Sequence, residues 1–227
     1  LSKRAQFMRP LAEYDVFIFD CDGVILDANK LKIEAMQYAI DSAGFSPAES
    51  LACCDYFAQN FGRSRFHHVQ HFLDVILSIA LADKDAIYTF ILDAYSAQCK
   101  ELYLSANLTS GFLDFIAANP TQIKYVASGS AQEELRWVFT QRALSMHFSD
   151  VLGSPTAKPD ILADIIARHS IDSRFLMIGD AVSDFEASQK NKIDFLGYLK
   201  HSTVLDKMQA LSKTHSFKTI IDWSEIC

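Results

Sequence analysis

Two aspartates, Asp20 and Asp22, stand two positions apart, directly after the apolar run 14–19 and just before Gly23. Carboxylates this close repel each other unless a cation or a shared proton relieves the repulsion. A continuous apolar run is typical of a strand buried on both faces of a parallel sheet, and ligands of such sheets bind beyond the carboxyl ends of the strands. The same composition is also ordinary in turns, so this stretch alone leaves active-site chemistry and a plain turn equally open.

Three more groups of polar residues occur further along the chain, each just after a predicted strand. One offers a hydroxyl and flexible backbone amides, one a single lysine just before a helix, and one a pair of acids. Taken alone, each has an ordinary explanation: a turn, a solvated side chain, or the charge preference of a helix N-terminus. These groups are Ser128 with Gly129, Lys158, and Asp180 with Asp184.

Together the four groups hold the parts that phosphoryl transfer requires. Carboxylates can hold a metal ion and supply a nucleophile, while a hydroxyl, backbone amides and a lysine can bind the oxygens of a phosphoryl group. This kind of reaction depends mostly on positioning and on neutralising the negative charge of those oxygens. We therefore expect one site for a phosphorylated substrate, provided that the fold brings the four groups together.

The elements that would position these groups alternate between strand and helix from about residue 108 onward. Such alternation predicts an α/β fold with a doubly wound parallel sheet. Since the carboxyl ends of parallel strands meet at one edge of a sheet, the four groups are expected to converge there. The predicted strands are 14–19, 123–127, 151–153, 175–178, 194–198 and 219–221, and the predicted helices are 111–118, 131–142, 161–168, 183–190 and 203–211.

The segment that follows the first strand has apolar side chains at helical spacing and no strand signal of comparable strength. Ser46, with Glu49 three residues later, is typical of a capped helix start. Further along, an apolar stripe that includes Phe90 and Ile91 continues the helical period. We therefore predict a helical domain, residues 28–106, inserted into a core domain that consists of residues 1–27 and 107–227.

Composition excludes several classes of protein. The chain has 227 residues and 50% of them are hydrophobic, so a sizeable core can form and wholesale disorder is excluded. A net charge of −7 without a basic stripe disfavours nucleic-acid binding, and no apolar stretch approaches the ~20 residues that cross a bilayer. No secretory leader is visible, so we expect a cytoplasmic protein, a monomer or small homo-oligomer. Its cysteines are irregularly spaced and expected to be reduced thiols: Cys21, Cys53, Cys54, Cys99 and Cys227.

In their order along the chain, the four groups resemble the four motifs of the haloacid dehalogenase (HAD) superfamily. The predicted helical insert falls where the subclass with a helical cap carries its cap, a subclass that includes phosphoglycolate phosphatases and β-phosphoglucomutases. The resemblance implies a Mg²⁺-dependent phosphatase that acts on a small soluble phosphomonoester, a sugar phosphate or phosphoglycolate. The residues that match the motifs are Asp20 to Val24, Ser128, Lys158 with Pro159, and Gly179-Asp180 with Asp184.

Carried over residue by residue, the resemblance implies a role for each side chain. Asp20 is expected to attack phosphorus and form an aspartyl-phosphate, and Asp22 to protonate the leaving oxygen. Ser128, Gly129 and Lys158 are expected to bind the transferring phosphoryl group. The partner of the protein is then a small phosphorylated metabolite, with neither a nucleic acid nor a membrane involved.

The same resemblance implies a set of ligands for the cofactor, Mg²⁺. The expected ligands are the Asp20 carboxylate, the Asp22 main-chain carbonyl, Asp180 and Asp184. Oxygen donors of this kind, together with water, suit Mg²⁺. Cys21 lies between the two motif aspartates, but strand alternation turns its side chain away, so it is expected to take no part.

Within the predicted insert, the residues from Phe61 to Arg65 resemble the cap loop of β-phosphoglucomutase-like proteins, where an arginine contacts the far end of the substrate. Arg65 is the matching position, and a solvated surface arginine is the alternative. Lys32 is a second candidate for substrate binding, and an exposed helix lysine is its alternative. His67 and His71 have a spacing compatible with metal binding, but no acidic partner accompanies them, which favours a plain helix surface.

Two other functions stay open at this point. A β-phosphoglucomutase-like phosphomutase is expected to carry a histidine where this chain has Lys32, and adjacent acids where Ala181 follows Asp180. A non-catalytic phosphosugar-binding regulator is expected to lose Asp20 or Asp180, and both are present. An acid at Asp22 argues against dehalogenases and phosphonatases, whose leaving groups need no such proton donor. These comparisons favour hydrolysis of a phosphate ester.

Overall fold

The computed structural model of this chain describes residues 9–77 and 79–226. Its strands are β1 (Val16–Phe19), β2 (Ile123–Ala131), β3 (Asp150–Ser154), β4 (Phe175–Gly179), β5 (Asp194–Tyr198) and β6 (Lys218–Ile220). They form one six-stranded sheet with the order β3-β2-β1-β4-β5-β6, in which all neighbours run parallel. The predicted α/β fold with a parallel sheet is therefore confirmed.

Strand β1 lies in the middle of the sheet and is buried on both faces. Phe17 and Phe19 belong to one apolar cluster, while Val16 and Ile18 belong to a second cluster on the opposite face. All four side chains are fully buried. This is the physical reason for the continuous apolar run in the sequence, because a strand covered on both sides has no polar face.

Five helices cover the two faces. Helices α5 (Phe112–Ala118) and α6 (Gln132–Gln141) contribute to the cluster that contains Phe19. Helices α7 (Lys158–Ala167), α8 (Val182–Asn191) and α9 (Leu205–His215) contribute to the opposite cluster. Three predicted boundaries are wrong by several residues: β2 continues to Ala131 with an irregular register, α7 begins at Lys158, and α9 continues to His215.

Between β1 and β2 the chain forms a helical insert of α1 (Asn29–Ser42), α2 (Pro47–Gln59), α3 (Arg65–His71) and α4 (Leu81–Ser105). The predicted capping box at the start of α2 is present, with the Ser46 backbone N–H donating to Glu49 Oε2 at 2.9 Å. In α4 the buried stripe is Ile91, Tyr95, Cys99 and Tyr103, whereas Phe90 is 47% exposed. The predicted helical character is thus present, although Phe90 lies outside the buried stripe.

The two segments that join the insert to the core run side by side. The Asp27 N–H donates to the Asn107 carbonyl at 2.9 Å, and the Thr109 N–H donates to the Ile25 carbonyl at 2.9 Å. In the described part of the chain, no helix is long and apolar enough to cross a lipid bilayer. Cys21, Cys53, Cys54 and Cys99 are free and buried, and Cys227 lies outside the described residues.

Candidate active site

Three buried carboxylates lie together at the carboxyl edge of the sheet, and we call them the acidic cluster. Asp20 follows β1, Asp180 follows the neighbouring β4, and Asp184 lies in the first turn of α8. Strands β1 and β4 pair with Phe19 beside Ile178, so the residues that follow them emerge side by side. One oxygen from each of the three carboxylates lies within 4.8 Å of the other two.

Lys158 places a positive charge against the acidic cluster. Its Nζ donates to Asp20 Oδ1 at 2.7 Å and also to Asp184 Oδ1. Burial lowers the pKa of Lys158, but the attraction of the Asp184 and Asp20 carboxylates outweighs this effect, so the net pKa is raised. The lysine stands in the first turn of α7 rather than in the loop before it.

The acidic cluster has more negative charge than Lys158 offsets. Burial raises the pKa of Asp20 to about 7, with nearby carboxylates adding to the rise and Lys158 opposing it. Burial and the neighbouring Asp20 and Asp184 raise the pKa of Asp180 well above its ordinary range, although Asn29 donates a hydrogen bond to it at 2.6 Å. A divalent cation would relieve this repulsion, and clustered carboxylate oxygens are the donors that Mg²⁺ prefers.

Backbone geometry holds the cluster in place. Asp184 Oδ2 accepts hydrogen bonds from the N–H groups of Asp180 and Ala181, each at 3.1 Å, which fixes one oxygen of this carboxylate. Gly23 turns the chain away from β1 with a φ of +79°, a conformation that other residues rarely adopt. A side chain there would also collide with Asp180 and Asn29, because a Cβ would lie 2.9 Å from the Asp180 carboxyl carbon.

The carboxylate of Asp22 has a separate set of partners. Its Oδ2 accepts hydrogen bonds from Lys32 Nζ at 2.7 Å and from the hydroxyls of Tyr103 and Ser130 at 3.1 and 3.0 Å. Its Oδ1 has no hydrogen-bond partner among the described residues. Lys32 is 7% exposed, so the alternative of an exposed helix lysine is wrong. Lys32, Tyr103 and Ser130 therefore hold one carboxylate oxygen of Asp22 and leave the other available.

Ser128 and Gly129 lie beside these acids, within the last part of β2. Both line one small cavity together with Asp20, Asp22 and Lys32. Ser128 is buried, and its hydroxyl accepts the Ser130 N–H at 3.1 Å. The structure thus brings the residues of all four motifs to one edge of the sheet, as their positions after the predicted strands indicate.

Arg65 reaches from the insert to a carboxylate on the core. Its Nη2 lies 2.7 Å from Glu134 Oε1 and its Nη1 lies 3.1 Å from Glu134 Oε2, a bidentate ion pair between α3 and α6. Nη1 also donates to Ser96 Oγ at 2.7 Å, and the guanidinium lies over the ring of Tyr95. Arg65 is 4% exposed, so the alternative of a solvated surface arginine is wrong.

The insert is closed over the site. Ser183 Oγ donates to the Phe61 carbonyl at 2.8 Å, and Thr203 Oγ1 donates to the Ala58 carbonyl at 2.6 Å. A Cβ on Gly129 would lie 2.6 Å from the Gly62 carbonyl oxygen, so the two backbones touch. The cavity between the insert and the core measures about 10 Å³, which is roughly the room of one water molecule.

Among the described residues, the acidic cluster is the group of side chains with a geometry suited to a metal ion. Asp22 does not belong to it through its side chain, and its predicted contribution is the main-chain carbonyl. His67 and His71 are likewise outside it, and the His71 ring instead stacks on Tyr56 with 3.8 Å between centroids. The reading of these histidines as a plain helix surface fits their position.

Several residues of the site carry no role in the sequence-based prediction: Asn29, His68, Tyr103, Ser130 and Glu134. Asn29 lies on the buried face of α1, and Tyr103 lies on the buried face of α4. A polar group on an otherwise apolar helical face could have identified both as candidate site residues. Glu134 offers no such signal, because its partner lies 69 positions away in the sequence. Only the folded chain shows this pair.

One family of known proteins matches most of this chain. A family model described as haloacid dehalogenase-like hydrolase matches residues 17–198. No curated protein sequence matches the chain at a significant level.

Solved structures with a similar fold come from several bacteria. A predicted phosphatase from Clostridium acetobutylicum is 13% identical, with 94% of this chain and 96% of that chain covered and a TM-score of 0.71. A haloacid dehalogenase-like family hydrolase from Streptococcus pneumoniae is 17% identical, with 95% and 98% covered and a TM-score of 0.72. A predicted phosphoglycolate phosphatase from Haemophilus somnus is 14% identical, with 82% and 86% covered and a TM-score of 0.67. At these identities the likeness establishes the fold.

Proposed function

The chain belongs to the haloacid dehalogenase-like hydrolase family, and on that premise we propose that it is a Mg²⁺-dependent phosphatase of a small soluble phosphomonoester. The observation that carries this proposal is the buried acidic cluster with Lys158 donating into it. Three carboxylates and one ammonium, all removed from water, form a costly arrangement unless a cation and an anionic substrate complete it. A phosphate ester bound together with Mg²⁺ would do so.

In this proposal the side chains of Asp20, Asp180 and Asp184 hold the metal, together with the main-chain carbonyl of Asp22. When bound, Mg²⁺ neutralises charge on the phosphoryl oxygens. Ser128 and the backbone at Gly129 donate hydrogen bonds to the same oxygens.

Asp20 acts as the nucleophile. One of its carboxylate oxygens attacks phosphorus, the bond from phosphorus to the ester oxygen breaks, and an aspartyl-phosphate forms. Asp22 gives a proton to the departing alcohol oxygen from Oδ1, the oxygen without a partner among the described residues. Water then attacks phosphorus, Asp22 takes a proton from that water, and phosphate leaves with Asp20 regenerated.

The closed position of the insert supports a role as a cap. A cavity of about 10 Å³ holds about one water molecule and has no room for the alcohol part of a phosphate ester. The substrate would therefore enter while the insert lies further from the core. The paired segments 25–27 and 107–109 are a suitable hinge, because both connections lie at one place. Closure would then exclude bulk water from the reaction.

Measurement of phosphate release tests the proposed function. The purified protein is incubated with sugar phosphates, glycerol 3-phosphate, 2-phosphoglycolate, nucleotides and p-nitrophenyl phosphate, each with Mg²⁺ and with EDTA. We expect phosphate release from at least one small ester with Mg²⁺ and none with EDTA. Conversion of β-glucose 1-phosphate into glucose 6-phosphate without phosphate release would instead indicate the mutase, and binding of sugar phosphates without turnover would indicate a regulator.

A further inference from the structure

The cavity between the insert and the core is lined by three buried side chains that each have a polar atom without a partner among the described residues. These atoms are Asp22 Oδ1, Arg65 Nε and both ring nitrogens of His68. The three side chains are 5%, 4% and 1% exposed. Buried polar atoms are nearly always hydrogen-bonded, so such a group of unpaired atoms around one cavity indicates a ligand that completes them.

The charges around this cavity are already balanced in pairs. Lys32 is paired with Asp22 at 2.7 Å, and Arg65 is paired with Glu134 at 2.7 Å. Arg63 also lines the cavity, but its side chain is exposed to solvent. An anionic group on the substrate could reach Arg65 only at Nε, beside a guanidinium whose charge Glu134 already neutralises. It would then be a second buried anion without a cation of its own, which is strongly unfavourable.

From these contacts we infer that the alcohol released by this phosphatase is uncharged and bears hydroxyl groups, and that His68 selects it by hydrogen bonding. The inference rests on the proposed function and narrows its substrate class to monophosphates of neutral polyols and sugars. A hydroxyl both donates and accepts, so it can satisfy Arg65 Nε–H and a ring nitrogen of His68 without disturbing the ion pairs.

The surroundings of His68 keep its ring neutral. Burial, with smaller contributions from the nearby His67 and Lys32, lowers the pKa of His68 to about 3. The ring lies among Tyr56, Phe57 and Phe72, which offer it packing but no hydrogen bond. A neutral imidazole has one donor and one acceptor nitrogen, which suits a hydroxyl and offers no charge to a carboxylate.

A matched pair of substrates tests the inference on the wild-type protein. Glycerol 3-phosphate and 3-phosphoglycerate have the same carbon chain, but the second has a carboxylate in place of one hydroxymethyl group. We expect kcat/KM with Mg²⁺ to be at least ten-fold higher for glycerol 3-phosphate. An equal or higher value for 3-phosphoglycerate would overturn the inference while leaving the proposed phosphatase intact.

Two variants then identify the residues responsible. His68→Leu should lower kcat/KM for glycerol 3-phosphate at least ten-fold more than it lowers kcat/KM for p-nitrophenyl phosphate. Its Tm should stay equal or rise, because the change removes buried polar atoms that have no partner. His71→Leu, on the same helix but outside the cavity, is the control and should leave both substrates unchanged. Glu134→Gln releases the charge of Arg65 and should raise the relative kcat/KM for 3-phosphoglycerate at least ten-fold.

The outcomes separate the two proposals. Failure of His68→Leu to change the ratio between glycerol 3-phosphate and p-nitrophenyl phosphate would overturn the role of His68, even where Glu134→Gln does not fold. An equal loss of both substrates, with a lower Tm, would make His68 a structural residue and overturn it as well. If no ester, p-nitrophenyl phosphate included, releases phosphate with Mg²⁺, the proposed function fails and this inference falls with it.

Discussion

The two walls of the candidate site differ in how their charges are balanced. On the core wall, the carboxylates of Asp20, Asp180 and Asp184 face the single ammonium of Lys158. On the insert wall, Lys32 and Arg65 each contact one carboxylate of the core. The core wall therefore has more negative than positive charge, while the insert wall forms complete ion pairs with the core.

This difference separates two tasks. Binding of a metal, as proposed, requires negative charge that the protein leaves uncompensated. The pKa of Asp20 is raised chiefly by burial, and the nearby carboxylates add to the rise. Selection of the rest of the substrate requires side chains that are held in fixed positions and whose charge is already neutralised, so that they do not bind every anion. Substitutions on the two walls should consequently have different effects, on chemistry for the core wall and on stability or selectivity for the insert wall.

The largest effect is expected for Asp20→Asn on the core wall. An amide is a poor nucleophile and a weak metal ligand, so turnover should fall by about 10³-fold or more. Phosphate release with Mg²⁺, measured beside the circular dichroism spectrum, checks the prediction. Asp15→Asn, at the other end of β1 and exposed, is the matched control and should keep its activity. Substantial turnover by Asp20→Asn would end its assignment as the nucleophile.

On the insert wall, Arg65→Ala should act first on stability. Removal of the guanidinium leaves Glu134 buried without its partner, which costs about 3–5 kcal/mol. Arg65→Met combined with Glu134→Leu should regain most of that loss, because neither charge remains buried. Urea unfolding measures both variants. Arg174→Ala, which breaks an exposed pair with Glu13, should change stability by less than about 1 kcal/mol. Equal losses for the two single variants would contradict the comparison.

Asp22→Asn tests the contact between the walls. The amide keeps the shape of the side chain and can still accept from Lys32, but it cannot supply a proton to the leaving oxygen. Hydrolysis of glycerol 3-phosphate should fall about 10²-fold or more, whereas p-nitrophenyl phosphate, whose leaving group needs little proton help, should lose less than about ten-fold. Equal losses on the two esters would remove the general-acid role from Asp22.

The core wall could largely be predicted from the sequence, and the reason is local. Each of its side chains follows a strand whose apolar run marks it, and parallel strands bring their carboxyl ends together. The irregular end of β2 could not be predicted in this way, because Ser128 and Gly129 have the composition of a turn. The start of α7 was missed for a similar reason, since Lys158 and Pro159 stand before the first apolar residues of that helix.

The insert wall depends on contacts that the sequence does not encode locally. Whether Phe90 or Ile91 faces inward in α4 depends on which neighbours pack against that helix, and both phases fit the apolar pattern. The loop before Arg65 made this residue a candidate, but the sequence gives no sign of its pairing with Glu134. The pair joins the predicted helical insert to the predicted core domain. His68 lies between His67 and His71, whose spacing is compatible with metal binding. Only its burial in the folded chain distinguishes it from them.

The smallest expected effect concerns the proposed binding of Mg²⁺ to the acidic cluster, and it is measured as stability without any substrate. The pKa of Asp20 is raised from 3.8 to about 7, so the metal-free folded state holds its proton more tightly than the unfolded state does. Stability from this group is therefore present below pH 4 and is lost as the pH rises through about 7, because between these values unfolding releases the proton and a rising pH favours that release. If the acidic cluster holds Mg²⁺ as proposed, the ion binds the ionised carboxylates and should restore the stability that was lost. We expect Mg²⁺ to raise Tm by several degrees at pH 8 and by much less at pH 5, with EDTA as the reference.

Asp180→Asn should reduce this increase in Tm, since it removes one proposed ligand. An equal Mg²⁺ effect at both pH values, or none at either, would contradict a metal site on the core wall.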